Sequence, residues 1–449
     1  MAMKRIILTL VISLSLLTAT AQMRTAYFME GSYFRTDLNP ALVPGRGYVA
    51  IPVLSGLGVG VNNNFLSVNN FVYNRDGETV LALDSRVDSE EFLGRLPKKG
   101  HLSLNSDINL LAAGFSTKKM FWNFGVKARV NFDMVTSNDL FAALKSLGNN
   151  SYDLSTVGFD GTAYSEIYIG ACRPIFDWLR VGARVKGLVG VINVGGQLSE
   201  GNFSITRSQI VGSLRGDLHM SGLMVRSDYK TGEIEDVSDI LEEEFSTAGL
   251  KSGGFGVDLG AEARFLNDKL RVSLSITDLG FISWSKSAAA RAEFGYGFTY
   301  KGVNLTTGEV DMQSEDNISM VAPSGYTKSL NTTLNIGAEY TILNNWISFG
   351  LLSHTEFRQL YTLSELIASV NFRVGKNFSA TLSHTFCGRN RAGIFGAAIN
   401  VHTAGLNLFL GADYIDTNYA SAGEMVVPKF QKSLNYYFGL GFNLGKTKF

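Results

Sequence analysis

The sequence predicts an all-β fold: a transmembrane, antiparallel, up-and-down β-barrel of about fourteen strands with a short N-terminal plug segment. Three observations predict it. In the last stretch, Ser433 to Gly445, Leu434, Tyr436, Phe438, Leu440, Phe442 and Leu444 recur at every second position, with Asn435, Tyr437, Gly439, Gly441, Asn443 and Gly445 between them. Side chains alternate across a strand, so one face is wholly apolar, and a tilted strand of about 9–11 residues suffices to cross a bilayer. The same alternation recurs upstream, with charges kept to the opposite parity. The connections alternate between short turns and long loops, as in a barrel whose two ends lie on the same side of the membrane.

Composition narrows the function classes. Lys+Arg and Asp+Glu both number 40, so no net field attracts nucleic acid, and none is expected as a partner. Glycine is abundant at 48 and proline scarce at 7, unlike a low-complexity chain, and the 11% of aromatic residues suits packed strands. Cys172 and Cys387 are too few for a disulfide scaffold, and neither has the paired spacing of a zinc or redox motif, so both read as ordinary strand residues.

Residues 1–21 have the form of an export signal: Lys4 and Arg5, the apolar run Ile6 to Leu17, then Ala19-Thr20-Ala21, with cleavage expected between Ala21 and Gln22. That run is too short to span a membrane as a helix, and no later segment approaches 18 uninterrupted apolar residues. A membrane location therefore requires a barrel, here expected in the outer membrane with its lipid as neighbour.

Residues 22–46 come next and carry Asn39-Pro40-Ala41 and Pro44-Gly45, marks of turns rather than of a strand. The barrel is expected over residues 47–449. In its first strand Val49, Ile51, Val53, Leu57, Val59 and Val61 share one side, and Gly56, Gly58 and Gly60 the other. These glycines lack the full nucleotide-binding fingerprint and a following helix, so they are expected to let the strand bend or another backbone approach. In the third strand Met120, Trp122, Phe124, Val126, Ala128, Val130 and Phe132 face one way, against Lys127 and Arg129. Val181, Ala183 and Val185 stand against Arg184 and Lys186, and Phe255, Val257, Leu259 and Ala261 against Asp258, Glu262 and Arg264. Glu339, Arg373 and Asp413 join these as charges expected to face the lumen. Because both signs occur, they read first as an ion-pair network propping the plug, with substrate selection as the alternative.

The strands fall at 47–61, 102–115, 120–134, 162–173, 179–194, 253–265, 270–282, 332–342, 346–357, 363–374, 377–387, 393–401, 405–415 and 433–445. Strand-like pieces in 203–225 and 290–302 would raise the count to sixteen. Helix signals stand in three long loops: Asp88 before Glu91, Asn138 before Leu140 and Leu144, and Ser238 before Asp239-Ile240-Leu241. The acidic run Glu242–Glu244 reads as a solvated helix face.

Eight strands leave an interior that side chains fill and sixteen an aqueous channel, so fourteen call for a plug or a lumen narrowed to a ligand path, and residues 22–46 are the natural plug. In this respect the chain resembles the FadL-like long-chain fatty acid transporters, whose N-terminal hatch carries an Asn-Pro-Ala step shortly before the first strand; here that step is Asn39-Pro40-Ala41. It also resembles a poorly characterised family of related outer-membrane barrels through Gly254-Phe-Gly-Val-Asp-Leu-Gly260 and Thr277-Asp-Leu-Gly-Phe-Ile-Ser-Trp284. The resemblance implies transport of a hydrophobic small molecule across the outer membrane, with Asn39 and Pro40 setting the plug turn. A non-transporting scaffold or secretion-system accessory barrel is the alternative.

No catalytic, cofactor or metal site is expected. The five histidines lack His-x-x-x-His spacing. Ser353-His354 and Ser383-His384 invite a nucleophile-and-base reading, but adjacent strand residues point to opposite faces.

Overall fold

The period-two alternation builds a closed wall. The computed structural model describes residues 24–52, 56–145, 151–206, 208–222, 252–286, 289–303, 310–321, 325–375, 377–386, 394–415, 419–422, 425–428 and 433–447. The expected export signal, the helix expected at Ser238 and Cys387 lie outside these residues.

Fourteen antiparallel strands close the barrel. They are β1, in the two pieces Arg46–Ala50 and Leu57–Asn63, β2 (Lys99–Ser116), β3 (Phe121–Ser137), β4 (Gly158–Phe176), β5 (Leu179–Ile205), β6 (Gly253–Phe265) and β7 (Leu270–Trp284). The second half comprises β8 (Thr332–Ile342), β9 (Ile347–Phe357), β10 (Thr362–Val374), β11 (Phe378–Phe386), β12 (Ile394–His402), β13 (Leu406–Ile415) and β14 (Leu434–Lys446). Each pairs with the next, and β14 pairs back onto β1, with Val49 opposite Phe442 and Leu57 opposite Phe438. Among the described residues the fourteen wall strands therefore leave no open edge between them, as backbone in a bilayer requires.

The wall is apolar outside and polar inside. On β9, Phe349 and Leu351 are exposed while Ser348, His354 and Glu356 are buried; on β13 Leu410 is exposed while Asn407 and Asp413 are buried. A water-soluble protein has the reverse arrangement, so this is a transmembrane barrel. Aromatic residues ring both ends of the apolar band. Phe176, Trp178 and Phe265 stack at the end bearing the short turns, with Trp346 nearby in the turn series; Phe357, Phe386 and Phe395 stand at the end bearing the long loops. From Trp346 to Phe357, a tilted strand rises about 25 Å, the height of a bilayer's apolar band.

At the loop end the architecture exceeds the wall. β5 runs 27 residues to Ile205, well past the expected end at 194. Its distal part pairs with Ile210–Gly222, which pairs with Ala289–Val303, which pairs with Val310–Val321. The pieces expected within 203–225 and 290–302 are therefore strands, but they form a sheet built onto β5 beyond the membrane and leave the count at fourteen. Residues 64–98 form a hairpin and two short helices around Phe65, Tyr73, Val80 and Phe92, against Phe141 of the helix Asn138–Lys145. The Asp88 side chain caps Ser89–Gly94 by accepting the Glu91 N–H at 2.9 Å. The Asn138–Lys145 helix is instead preceded by Ser137, whose hydroxyl accepts the Leu140 N–H at 3.3 Å.

Candidate functional site

The lumen is occupied by residues 24–45, nearly all of them buried. This segment forms no strand ladder, so its backbone groups are met partly by local turns, with Tyr27 N–H to Arg24 O at 3.1 Å, Met29 N–H to Ala26 O at 3.0 Å and a four-residue helix, Arg35–Leu38, and partly by wall side chains, as where Ser275 and Asn335 donate to Leu38 O and Asn407 to Gly31 O. Asn39 ends that helix in extended conformation. Its Oδ1 accepts the Ala41 N–H at 2.9 Å, its carbonyl accepts the Leu42 N–H at 2.9 Å, and its Nδ2 donates to Leu274 O at 3.3 Å. A side-chain oxygen closing the turn two residues on is the conformation that Asn favours before Pro.

The wall is moulded to this segment by missing side chains. A Cβ added at Gly182 would overlap the Pro40 carbonyl, and one at Gly260 would overlap Asn39 Oδ1. Gly56 and Gly439 face the Phe34 ring, Gly350 the Phe28 ring, and Gly396 the Thr25 hydroxyl. Gly56 is one of the three glycines expected to let the strand bend or a backbone approach, and the Asn109 amide and the Phe34 ring take the space instead. Cys172 is buried beside the segment, its Sγ 3.7 Å from Ala41 O.

Charged side chains line the remaining space in three tiers, ordered by distance from the turn end. The middle tier is one continuous network. Asp37 of the segment meets Lys127 and Arg184 at 2.8 Å each; Arg184 lies 3.7 Å from Asp258; Lys186 bridges Asp258 at 2.7 Å and Asp278 at 2.6 Å. Arg129 reaches Asp278 at 2.7 Å, Asp107 at 2.9 Å and Glu166 at 3.2 Å. Nearer the loop end, Arg24 pairs with Glu365 and Glu356, Arg358 reaches Asp133 at 2.6 Å, and Asp413 accepts the Thr25 N–H at 3.1 Å. Nearest the turn end, Glu30 pairs with Arg271 and Arg373, Glu339 with Arg373, and Glu262 with Arg264 at 2.8 Å. All ten charges expected to face the lumen thus lie on its inner side, in different tiers.

A β-bulge shapes the centre. Val257 pairs with Leu279 but Leu259 with Ile276, so Thr277 and Asp278 together oppose Asp258, and both point inward. Asp278 takes φ 58°, and its N–H donates to Asp258 Oδ1 at 2.7 Å. A non-glycine residue in this region within a strand is a local strain held by its surroundings, here by Arg129, Lys186 and Asp258. The three sequence marks thus converge: Asn39-Pro40 seats on Gly260, and Asp258 of the same stretch holds the bulge of Thr277-Asp278. Parity reading missed Asp278 because the bulge resets the parity. It also left out Asp107, Glu166, Glu356 and Glu365, each a charge on a strand that the same rule could have reached.

Two cavities lie beside the segment. A cavity of about 50 Å³ lies between Phe34, Phe409 and Tyr437 on one side and Lys127, Arg129 and Asp278 on the other. A second of about 30 Å³ shares Asp107, Arg129 and Asp278 with it. At about 10–15 Å³ for one water on this measure, each space has room for a few waters. The two Ser-His pairs split as expected: His354 is buried between Asn335 at 2.6 Å and Glu356 at 3.0 Å while Ser353 faces out, and Ser383 faces the lumen while the His384 ring meets Phe386 at a tilt.

No curated protein matches the chain significantly. Similar solved structures include the toluene transporter TbuX of Ralstonia pickettii (TM-score 0.39, 8% identity, covering 94% of this chain and 93% of that one). Others are the CymD monoaromatic hydrocarbon channel (0.38, 9%, 96% and 94%) and the toluene transporter TodX of Pseudomonas putida (0.36, 8%, 96% and 96%). A family model described as a family of unknown function, DUF5723, matches residues 40–413, which span the Asn39-Pro40-Ala41 step from its proline, both further marks and the wall from β1 to β13. The chain belongs to this DUF5723 family.

Proposed function

We propose that the protein is an outer-membrane transport barrel whose bore is closed by residues 22–46, and that it passes a hydrophobic small molecule when this segment shifts. The observation that carries the reading is that the described part of the segment fills the lumen without joining the sheet. The wall pairs completely from Arg46 to Lys446, so the obstruction and the wall are separate parts. Support for a hydrophobic solute comes from the resemblance carried by Asn39-Pro40-Ala41 and from the aromatic side of the larger cavity, Phe34, Phe409 and Tyr437.

A second reading, a non-transporting scaffold or secretion accessory, is favoured by two observations: the lumen is packed and charged, and a sheet built on β5 stands beyond the membrane at the loop end. Deleting residues 22–46 separates the two. Transport predicts a folded, heat-modifiable barrel that conducts ions in a planar bilayer and sensitises cells to large antibiotics, while the intact protein does neither. Asn39→Ala with Pro40→Ala should give a partial leak, because the turn they set loosens. A folded deletion variant that stays electrically silent would establish the scaffold reading.

A further inference from the structure

The turn end of the lumen carries a surplus of positive charge with unspent hydrogen-bond donors. Five arginines gather there, Arg35, Arg180, Arg264, Arg271 and Arg373, against three glutamates, Glu30, Glu262 and Glu339. The other tiers have the opposite balance. In the middle, five carboxylates face four cations, and toward the loop end Asp133, Asp160, Glu356, Glu365 and Asp413 face Arg24, Lys328 and Arg358 among the described residues. The aspartates of the adjoining turns, Asp177 and Asp268, are exposed to solvent, and Asp268 adds a solvent-screened negative charge beside Arg180.

Three features show that the surplus is not settled internally. Arg35 is 5% exposed, yet among the described residues its guanidinium makes one hydrogen bond, Nε to Tyr27 O at 2.8 Å, and no ion pair. Arg271 and Arg373 are ion-paired to Glu30 and Glu339, but their buried Nε atoms make no hydrogen bond, that of Arg373 standing 3.4 Å from Glu30 Oε2. Arg264 and Arg271 are direct cross-strand partners on β6 and β7, a like-charge pairing that destabilises a sheet. A buried cation such as Arg35 is costly unless a negative charge neutralises it. Guanidinium forks fit the paired oxygens of a carboxylate or phosphate.

We infer that this turn-end cluster is a binding site for a small oxyanion, of which phosphate is the simplest example, held by Arg35 of the segment together with Arg271 and Arg373 of the wall. The site does not depend on whether the barrel transports. It also bridges the segment to the wall, so that an oxyanion bound there holds the segment in place.

The test is isothermal titration calorimetry of the mature barrel, folded in detergent, with sodium phosphate, against sodium chloride at matched ionic strength. Saturable binding is expected with phosphate and not with chloride. Arg35→Gln and Arg271→Gln should each weaken it about tenfold or more, the loss of a charge-assisted hydrogen bond. Asp107→Asn, in the middle tier, should leave it unchanged. Folding of every variant is checked by heat-modifiable migration. Phosphate heats that match chloride in the unmodified protein would overturn the site, whatever the variants do. So would folded Arg35→Gln and Arg271→Gln variants that both titrate like the unmodified barrel.

Discussion

The stretch of wall from β8 to β13 and the stretch from β2 to β5 obey the same alternation but differ in length. The first has strands of 9–13 residues, the second of 17–27. A bilayer needs only about 9–11 tilted residues per strand. The short stretch is therefore membrane wall and little else, whereas the long stretch spends its extra residues beyond the lipid, where partner strands rather than lipid decide what is stable. The outward apolar rule should hold only within the common span.

Substitutions can break that comparison. The largest effect is expected for Leu351→Arg, near the middle of β9 on the lipid face. It should cost about 2–4 kcal/mol and abolish most heat-modifiable barrel. Leu218→Arg, equally apolar and about as exposed but in the sheet beyond β5, should leave barrel yield unchanged. Equal losses would show that this sheet also meets lipid.

A smaller effect is expected where the wall is moulded to its contents. Gly260→Val must push Asn39 and Pro40 aside and should cost about 1–3 kcal/mol in urea unfolding of the folded barrel. Gly405→Ala, with open space around the added methyl, should be neutral. The smallest effect concerns the loop end. Asp88→Ala removes the cap of Ser89–Gly94 at about 1 kcal/mol, visible as faster proteolysis between residues 64 and 98 with the heat-shifted band intact. A loss of the barrel band would mean that the loop-end core supports the wall.

Legibility in the sequence follows the same division. For β8 the expected span 332–342 is the observed one, and the neighbouring short strands agree to within one residue at each end, because apolar and polar residues alternate until a turn stops them. For β5 the alternation fades at Gly195-Gly196, yet the strand continues to Ile205, because its partner in Ile210–Gly222 supplies the pairing that no local pattern announces. The candidate site divides likewise. Wall charges could be assigned to the lumen by parity alone, but their tiers could not, since depth depends on register across many strands. Arg24, Glu30, Arg35 and Asp37 were out of reach, because an irregular segment has no period from which to read facing. Asp278 was hidden by a bulge whose only trace is the Thr277-Asp-Leu-Gly stretch.

The fit between the segment and the wall glycines bears on how the protein is assembled. Arg24 finds its carboxylates at Glu356 and Glu365, and Thr25 finds Asp413, 388 residues later in the chain. Contacts this remote form late, after most of the chain is in place. Biogenesis must therefore hold Arg24, Thr25 and the residues after them unpaired while the wall is laid down around them. The seam between β1 and β14 closes next to their point of attachment, so the last ladder to zip and the final seating of the segment are one event. A chain truncated before β14 should accumulate with its amino-terminal residues open to protease, and completion of that single strand should protect them.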